Sequence, residues 1–241
     1  MKAVSEKRGP AVIPAINCLN WPCVTKKLRQ VKKLGSPWVQ FDISDGKFTA
    51  AKTWGNDLKD LQNLKKFLKN AGWKFNLESH LMVENPEAVI EDWVKAGAKR
   101  IIVHLEAITD SKLQIYPNLR MSRKVFSLIF KKCKANDVEL GLAINPETPV
   151  EKIIPYLKDF KFIQILAVEP GWASQKFQPK VLSKIQFLRK KFPSLVIEVD
   201  GGINLETARL AKRAGADILV SASYILGSSN PKTTLEKLGK V

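Results

Sequence analysis

Three short stretches carry side chains suited to acid–base or metal chemistry. The first is an apolar run, Ile197 to Val199, that ends in the carboxylate of Asp200 and breaks at once into Gly201 and Gly202. Paired glycines let backbone N–H groups approach an anion closely, and the helix signal that begins at Asn204 offers its N-terminus to the same anion. The plainer alternative is a turn in which Asp200 caps that helix and the glycines only redirect the chain. In the second stretch, the two-residue period of a strand puts Gln40, Asp42 and Ser44 on one face and Phe41 and Ile43 on the other. A carboxylate on a buried face has to be paired or bind something, because an unpaired buried charge is costly. The third stretch ends in Glu78, Ser79, His80, Leu81 and Met82. The chain has 2 histidines, His80 and His104, and both close strand-like runs. Asp42, His80 and Asp200 together make a mixed nitrogen and oxygen set that suits Zn²⁺, Mn²⁺ or Fe²⁺. Alternatively, His80 is a core histidine bonded to a carboxylate. His104, ahead of Leu105 and Glu106, reads as packing or as support behind a ligand.

The elements that would position these groups alternate along the whole chain. Strand candidates are Ala11–Ile16, Trp38–Ile43, Lys74–Leu81, Arg100–His104, Glu139–Ile144, Phe162–Val168, Leu195–Asp200 and Asp217–Ser221. Helix candidates follow them in turn: Cys23–Leu34, Asn56–Asn70, Pro86–Ala96, Ser122–Ala135, Val150–Asp159, Pro179–Phe192, Leu205–Ala214 and a short Lys232–Leu238. Near-continuous apolar strands alternating with helices argue a parallel sheet covered by helices. Gly35, Gly72, Gly97 and Gly215 each stand just past a helix, where a left-handed residue closes the last turn. No linker or composition shift divides the 241 residues, so the expected fold is α/β, a single-domain (β/α)8 TIM barrel, with residues 1–10 as a flexible extension. A doubly wound open sheet is the alternative, and its dinucleotide glycine fingerprint is missing after the first strand. In a barrel the reactive groups sit at the C-terminal ends of strands, where Asp42, His80 and Asp200 all fall.

Bulk composition narrows the function classes. Hydrophobic residues at 45% and charged residues at 26% are ordinary for a globular protein with a full core. The net charge of +17 is spread over the outer faces of many helices, as in Lys26-Lys27, Lys65-Lys66 and Lys131-Lys132, so a specific nucleic-acid partner is not expected. Cys18, Cys23 and Cys133 are odd in number and lack CxxC spacing, which indicates neither a zinc site nor a disulfide framework and fits a reducing cytoplasm. No apolar run reaches the roughly 18 residues of a membrane span.

Taken in order and at these spacings, the motifs resemble the ribulose-phosphate 3-epimerase family of barrel enzymes. The likeness runs from Ile13 to Gly227 and rests on Trp38–Gly46, His80–Pro86, Asn145–Pro149, Val168–Gly171 with Gln175–Phe177, and Glu198–Asn204. It implies a barrel of the ribulose-phosphate-binding type in which Asp42 and Asp200 face opposite sides of the substrate's C3 and exchange its proton. It also implies a divalent metal on two histidines and these two aspartates. Three of the four ligands are present, and Gln40 stands at the remaining histidine position, so weakly bound Zn, Mn or Fe is expected. Other departures gather at the same mouth: Ala15 for a serine, Ser44 and Leu166 for methionines, and Ala222 for a glycine. The loops carrying Gly171, Gly201, Gly202, Ala222 and Ser223, with Met82 beside them, are expected to hold the phosphate and the rest of the substrate. The resulting expectation is a ketopentose 5-phosphate epimerase, with room for a homo-oligomer. Its rivals are a diverged phosphosugar isomerase or lyase and a catalytically silent barrel that binds a sugar phosphate or RNA.

Overall fold

A computed structural model describes residues 11–109 and 122–241. The expected N-terminal extension lies outside the described residues. Eight parallel strands close into a barrel in chain order: β1 (Ala11–Ile16), β2 (Trp38–Ser44), β3 (Asn76–Met82), β4 (Ala98–His104), β5 (Glu139–Ile144), β6 (Phe162–Leu166), β7 (Val196–Asp200) and β8 (Ile218–Ser221), with β8 pairing back onto β1. The expected barrel is therefore the observed one, and the open sheet is excluded.

The two-residue period explains how the strands divide their side chains. Val39, Phe41 and Ile43 of β2 and Leu77 and Leu81 of β3 belong to the main apolar core shared with the surrounding helices. Gln40, Asp42 and Ser44 are turned the other way and are buried as well. Helix α1 (Trp21–Leu34) shows the matching helical pattern, burying Val24, Leu28 and Val31. Each such aliphatic side chain, once removed from water, contributes about 1.5–3 kcal/mol. The ends are chemically specified. The Asn20 side chain accepts from the Cys23 N–H, and Gly35, at φ 73°, closes α1 in the left-handed region. The remaining helices are α2 (Leu58–Asn70), α3 (Pro86–Ala96), α4 (Arg123–Ala135), α5 (Val181–Lys191), α6 (Leu205–Ala214), α7 (Ser223–Leu226) and α8 (Pro231–Leu238).

Three sequence expectations need correcting. The helix expected over Val150–Asp159 is only a pair of 3-10 turns, Val150–Lys152 and Ile154–Tyr156. Pro155 lacks an N–H, and its ring would strike the Glu151 carbonyl of a continuous helix. The short helix α7 between β8 and α8 is additional. Finally, Cys18 and Cys23 form a disulfide, because the tight turn from β1 into α1 brings their Cα atoms to 5.8 Å; Cys133 is free and buried. A separation of five residues is invisible to CxxC arithmetic yet ordinary across such a turn.

Candidate active site

Strand register assembles the site. Asp42 pairs with His80 across β2 and β3, and Leu166 with Asp200 across β6 and β7. Because the barrel is closed, these strand ends meet at one mouth. One ligand atom from each of Asp42, His80 and Asp200 lies within 4.8 Å of the others. Nδ1 of His80 stands 3.2 Å from Asp200 Oδ2 and 3.6 Å from Asp42 Oδ1, yet no hydrogen bond aligns on it. A buried, unsatisfied ring nitrogen facing two carboxylates is a donor set with chemistry that fits a divalent cation, so the three residues present can hold one.

Gln40 does something other than add a fourth oxygen ligand. Its Nε2 donates to Asp42 Oδ1 at 2.6 Å and to Asp200 Oδ2 at 2.8 Å, bridging the two acids. The orientation is set from below: Gln164 Nε2 on β6 donates to Gln40 Oε1 at 3.2 Å and to Glu198 Oε1 at 3.0 Å. An amide whose oxygen is already accepting from Gln164 has its NH₂ end left for the acids.

Deeper in the barrel the polar layer continues. Arg100 Nη1 donates to Glu78 Oε2 at 2.5 Å, and the guanidinium lies 3.9 Å from the centre of the Phe162 ring. Burial pushes Glu78 up to about 7 despite Arg100, and it lifts Glu198 well above the usual carboxylate range. The Asp200 carboxyl is raised too, first by burial and then by the neighbouring Asp42 charge, while His80 and Gln40 pull the other way. Burial alone would lower His80, but the two carboxylates outweigh it and raise the imidazole to about 9. His104, also fully buried, is held below its ordinary value.

A cavity of about 290 Å³ opens above these groups. That is near the lower end of the range for small-ligand pockets. Met82, Gly171, Gly201, Gly202, Ala222 and Ser223 all line it, as does Asn17, which donates to the Gly171 carbonyl at 3.0 Å. Gly202 has φ 66°, and a Cβ there would lie 2.4 Å from the Phe177 nitrogen, so the loops after β6 and β7 touch through this glycine. Helix α7 begins at the cavity wall, with Ser223 and Tyr224 in the lining. Trp172 and Tyr224 stand exposed at its rim.

Every expected site residue is thus at the mouth or just beneath it. Sequence reasoning missed Asn17, Gln164 and Glu198, and left Glu106 without a role. The signal for two of these was available: Gln164 shares the inward face with Leu166, and Glu198 with Asp200, by the same alternation that singled out Gln40 and Asp42.

A closed eight-strand parallel barrel with acids at its strand ends and glycine loops around its mouth defines a TIM-barrel enzyme. Solved structures of similar shape share the fold. A 3-hexulose-6-phosphate synthase superposes with TM-score 0.64 at 14% identity, covering 95% of this chain and 97% of that one. A 3-keto-L-gulonate-6-phosphate decarboxylase from Vibrio cholerae superposes with TM-score 0.62 at 12% identity, covering 96% of each. Residues 11–226 match the ribulose-phosphate 3 epimerase family, and the chain belongs to that family. It is 32% identical over 232 residues to the cytoplasmic isoform of ribulose-phosphate 3-epimerase from Oryza sativa subsp. japonica, covering 95% of this chain and 92% of that protein. It is 35% identical over 225 residues to ribulose-phosphate 3-epimerase of Chlamydia trachomatis, covering 91% and 87% respectively.

Proposed function

We infer that this protein interconverts ribulose 5-phosphate and xylulose 5-phosphate by moving a proton at C3. The observation that carries the inference is the pair of acids, Asp42 on β2 and Asp200 on β7, bridged at the floor of a glycine-walled cavity. A proton α to a ketone is removable when a positioned carboxylate takes it, and a second acid opposite returns one to the other face and inverts the centre. Burial and the Asp42 charge raise the Asp200 carboxyl, which suits it to hold a proton, and reversal of the reaction exchanges the roles of the two acids. Before a cation enters, the Gln40 amide bridges both carboxylates and the protonated His80 ring balances their charge; a cation would take the place of that amide contact and of the Nδ1 proton. A divalent cation, Zn, Mn or Fe, held by Asp42, His80 and Asp200 would supply Lewis-acid stabilisation of the enediolate.

The substrate phosphate belongs at the loops bearing Gly171, Gly201, Gly202, Ala222 and Ser223, with Met82 against the sugar. Backbone donors carry that site, so Ala222 in place of a glycine does not remove it. A cytoplasmic setting is supported by the isoform named for the rice relative, and among the described residues no helix is long and apolar enough to cross a membrane. A diverged phosphosugar enzyme working without metal is the second reading. One observation favours it: the Gln40 amide already donates to both acids. The test is conversion of ribulose 5-phosphate by wild type, Asp42→Asn and Asp200→Asn, with and without added metal. The inference requires wild-type turnover that either variant abolishes, and turnover that survives both substitutions would exclude it.

A further inference from the structure

Behind His80 lies a row of buried groups with no part in the proton exchange itself. Nε2 of His80 is 2.8 Å from Nε2 of His104, and the ring planes differ by only 19° with centres 5.0 Å apart, so the rings meet edge to edge. Phe48 packs on His104 from another side, with ring centres 5.0 Å apart. Nδ1 of His104 faces Glu106 Oε2 at 3.4 Å, a long contact, with the Asn145 side chain a second hydrogen-bonding group beside the His104 ring. The other Glu106 oxygen, Oε1, is taken: it accepts from the Asn145 N–H at 2.9 Å and from the Thr148 hydroxyl.

We propose that His104 and Glu106 are positioning residues that fix which nitrogen of His80 faces Asp42 and Asp200 with a lone pair to offer. A carboxylate only accepts, so the His104 nitrogen facing Glu106 carries hydrogen. A neutral imidazole with hydrogen on Nδ1 has a bare Nε2, which must then accept from His80 Nε2. His80 keeps its hydrogen on the side away from the acids, and Nδ1 is the nitrogen left for a cation. A ligand histidine commonly donates its second N–H to a carboxylate; here the carboxylate acts through an intervening ring. The proposal deepens the metal-assisted reading above and rests on His80 being a ligand.

With only 2 histidines in the chain, a ¹⁵N-histidine spectrum of the full-length protein resolves both rings. The expected spectrum shows His104 protonated at Nδ1 and bare at Nε2, with a through-hydrogen-bond coupling between the two Nε2 atoms. Hydrogen on His104 Nε2 would overturn the proposal, and this wild-type result decides it whether or not any variant folds. In Glu106→Gln, the two donors at the Oε1 position hold the amide oxygen there, so the NH₂ turns toward His104 and forces its proton to Nε2. The expected outcome is a reversed His104 tautomer and a Zn²⁺ dissociation constant raised about 10–100-fold by calorimetry. A folded Glu106→Gln with wild-type tautomer and Zn²⁺ affinity would also overturn it. Absence of Zn²⁺ binding in wild type would count against the metal-assisted reading alone, since the spectrum judges the hydrogen positions independently.

Discussion

Replacing Gln40 with histidine probes the feature that most separates this site from the pattern its family implies. A cation entering between Asp42 and Asp200 must displace an amide that donates at 2.6 and 2.8 Å to two buried carboxylates. Hydrogen bonds to charged groups are worth about 1.5–3 kcal/mol each, so displacement costs about 3–6 kcal/mol. At about 1.4 kcal/mol per decade, this amounts to about two to four orders of magnitude in affinity. Gln40→His removes the donor and adds an imidazole lone pair. Chelator competition with Zn²⁺ should therefore show Gln40→His binding about 10²–10⁴-fold tighter than wild type by the same conversion, with faster C3 exchange. Gln164 still has Glu198 as a partner in the variant, so the barrel floor is not emptied. If Gln40→His binds Zn²⁺ no tighter than wild type, the view of Gln40 as a competitor for the cation is wrong.

Gly202→Val should raise the dissociation constant for a sugar phosphate severalfold, read by calorimetry. The valine must adopt φ 66° and its Cβ would meet the Phe177 backbone at 2.4 Å, so both phosphate loops shift; unchanged affinity would remove the phosphate from this place. In the presence of a chelator, His80 with a folded pKa raised to about 9 from 6.5 gives stabilisation that is complete below pH 6.5 and lost as pH rises through about 9. The melting temperature of wild type should fall more steeply over that window than that of His80→Gln. Parallel curves would show that the two carboxylates do not hold an imidazolium. Cys18→Ser should lower the melting temperature by about 4–8 °C, from the roughly 2 kcal/mol of chain entropy that so short a crosslink removes. Thiol titration of unfolded wild type should then count Cys133 alone, and finding Cys18 and Cys23 reactive as well would contradict the bond.

The barrel was legible because its signals are local and repeated. Pro86–Ala96 carries a proline at its start and a glycine past its end, Leu205–Ala214 an asparagine cap and a glycine, and both form as read. Val150–Asp159 has an apolar pattern that a proline in the middle defeats, a case where one missing N–H outweighs periodicity. Asp42, His80 and Asp200 were readable because strand ends are where barrels keep reactive groups. The orientation of Gln40 was not, since it depends on Gln164, 124 residues away, aiming its NH₂ at the amide oxygen. The role of His104 was hidden for the same reason, because Glu106 and the β5 loop residues that hold it give it meaning only once the strands are side by side. The Cys18–Cys23 bond likewise depended on the shape of a turn and not on spacing.

Asp42 and Asp200 are proposed to exchange the C3 proton of a ketopentose phosphate. Incubating ribulose 5-phosphate with the protein in D₂O, with Zn²⁺, Mn²⁺ or Fe²⁺ supplied, and following deuterium at C3 by NMR tests it most directly. The account predicts incorporation at C3 accompanied by xylulose 5-phosphate, lost in Asp42→Asn and in Asp200→Asn. A wild-type protein that leaves C3 unlabelled with every metal supplied would contradict it.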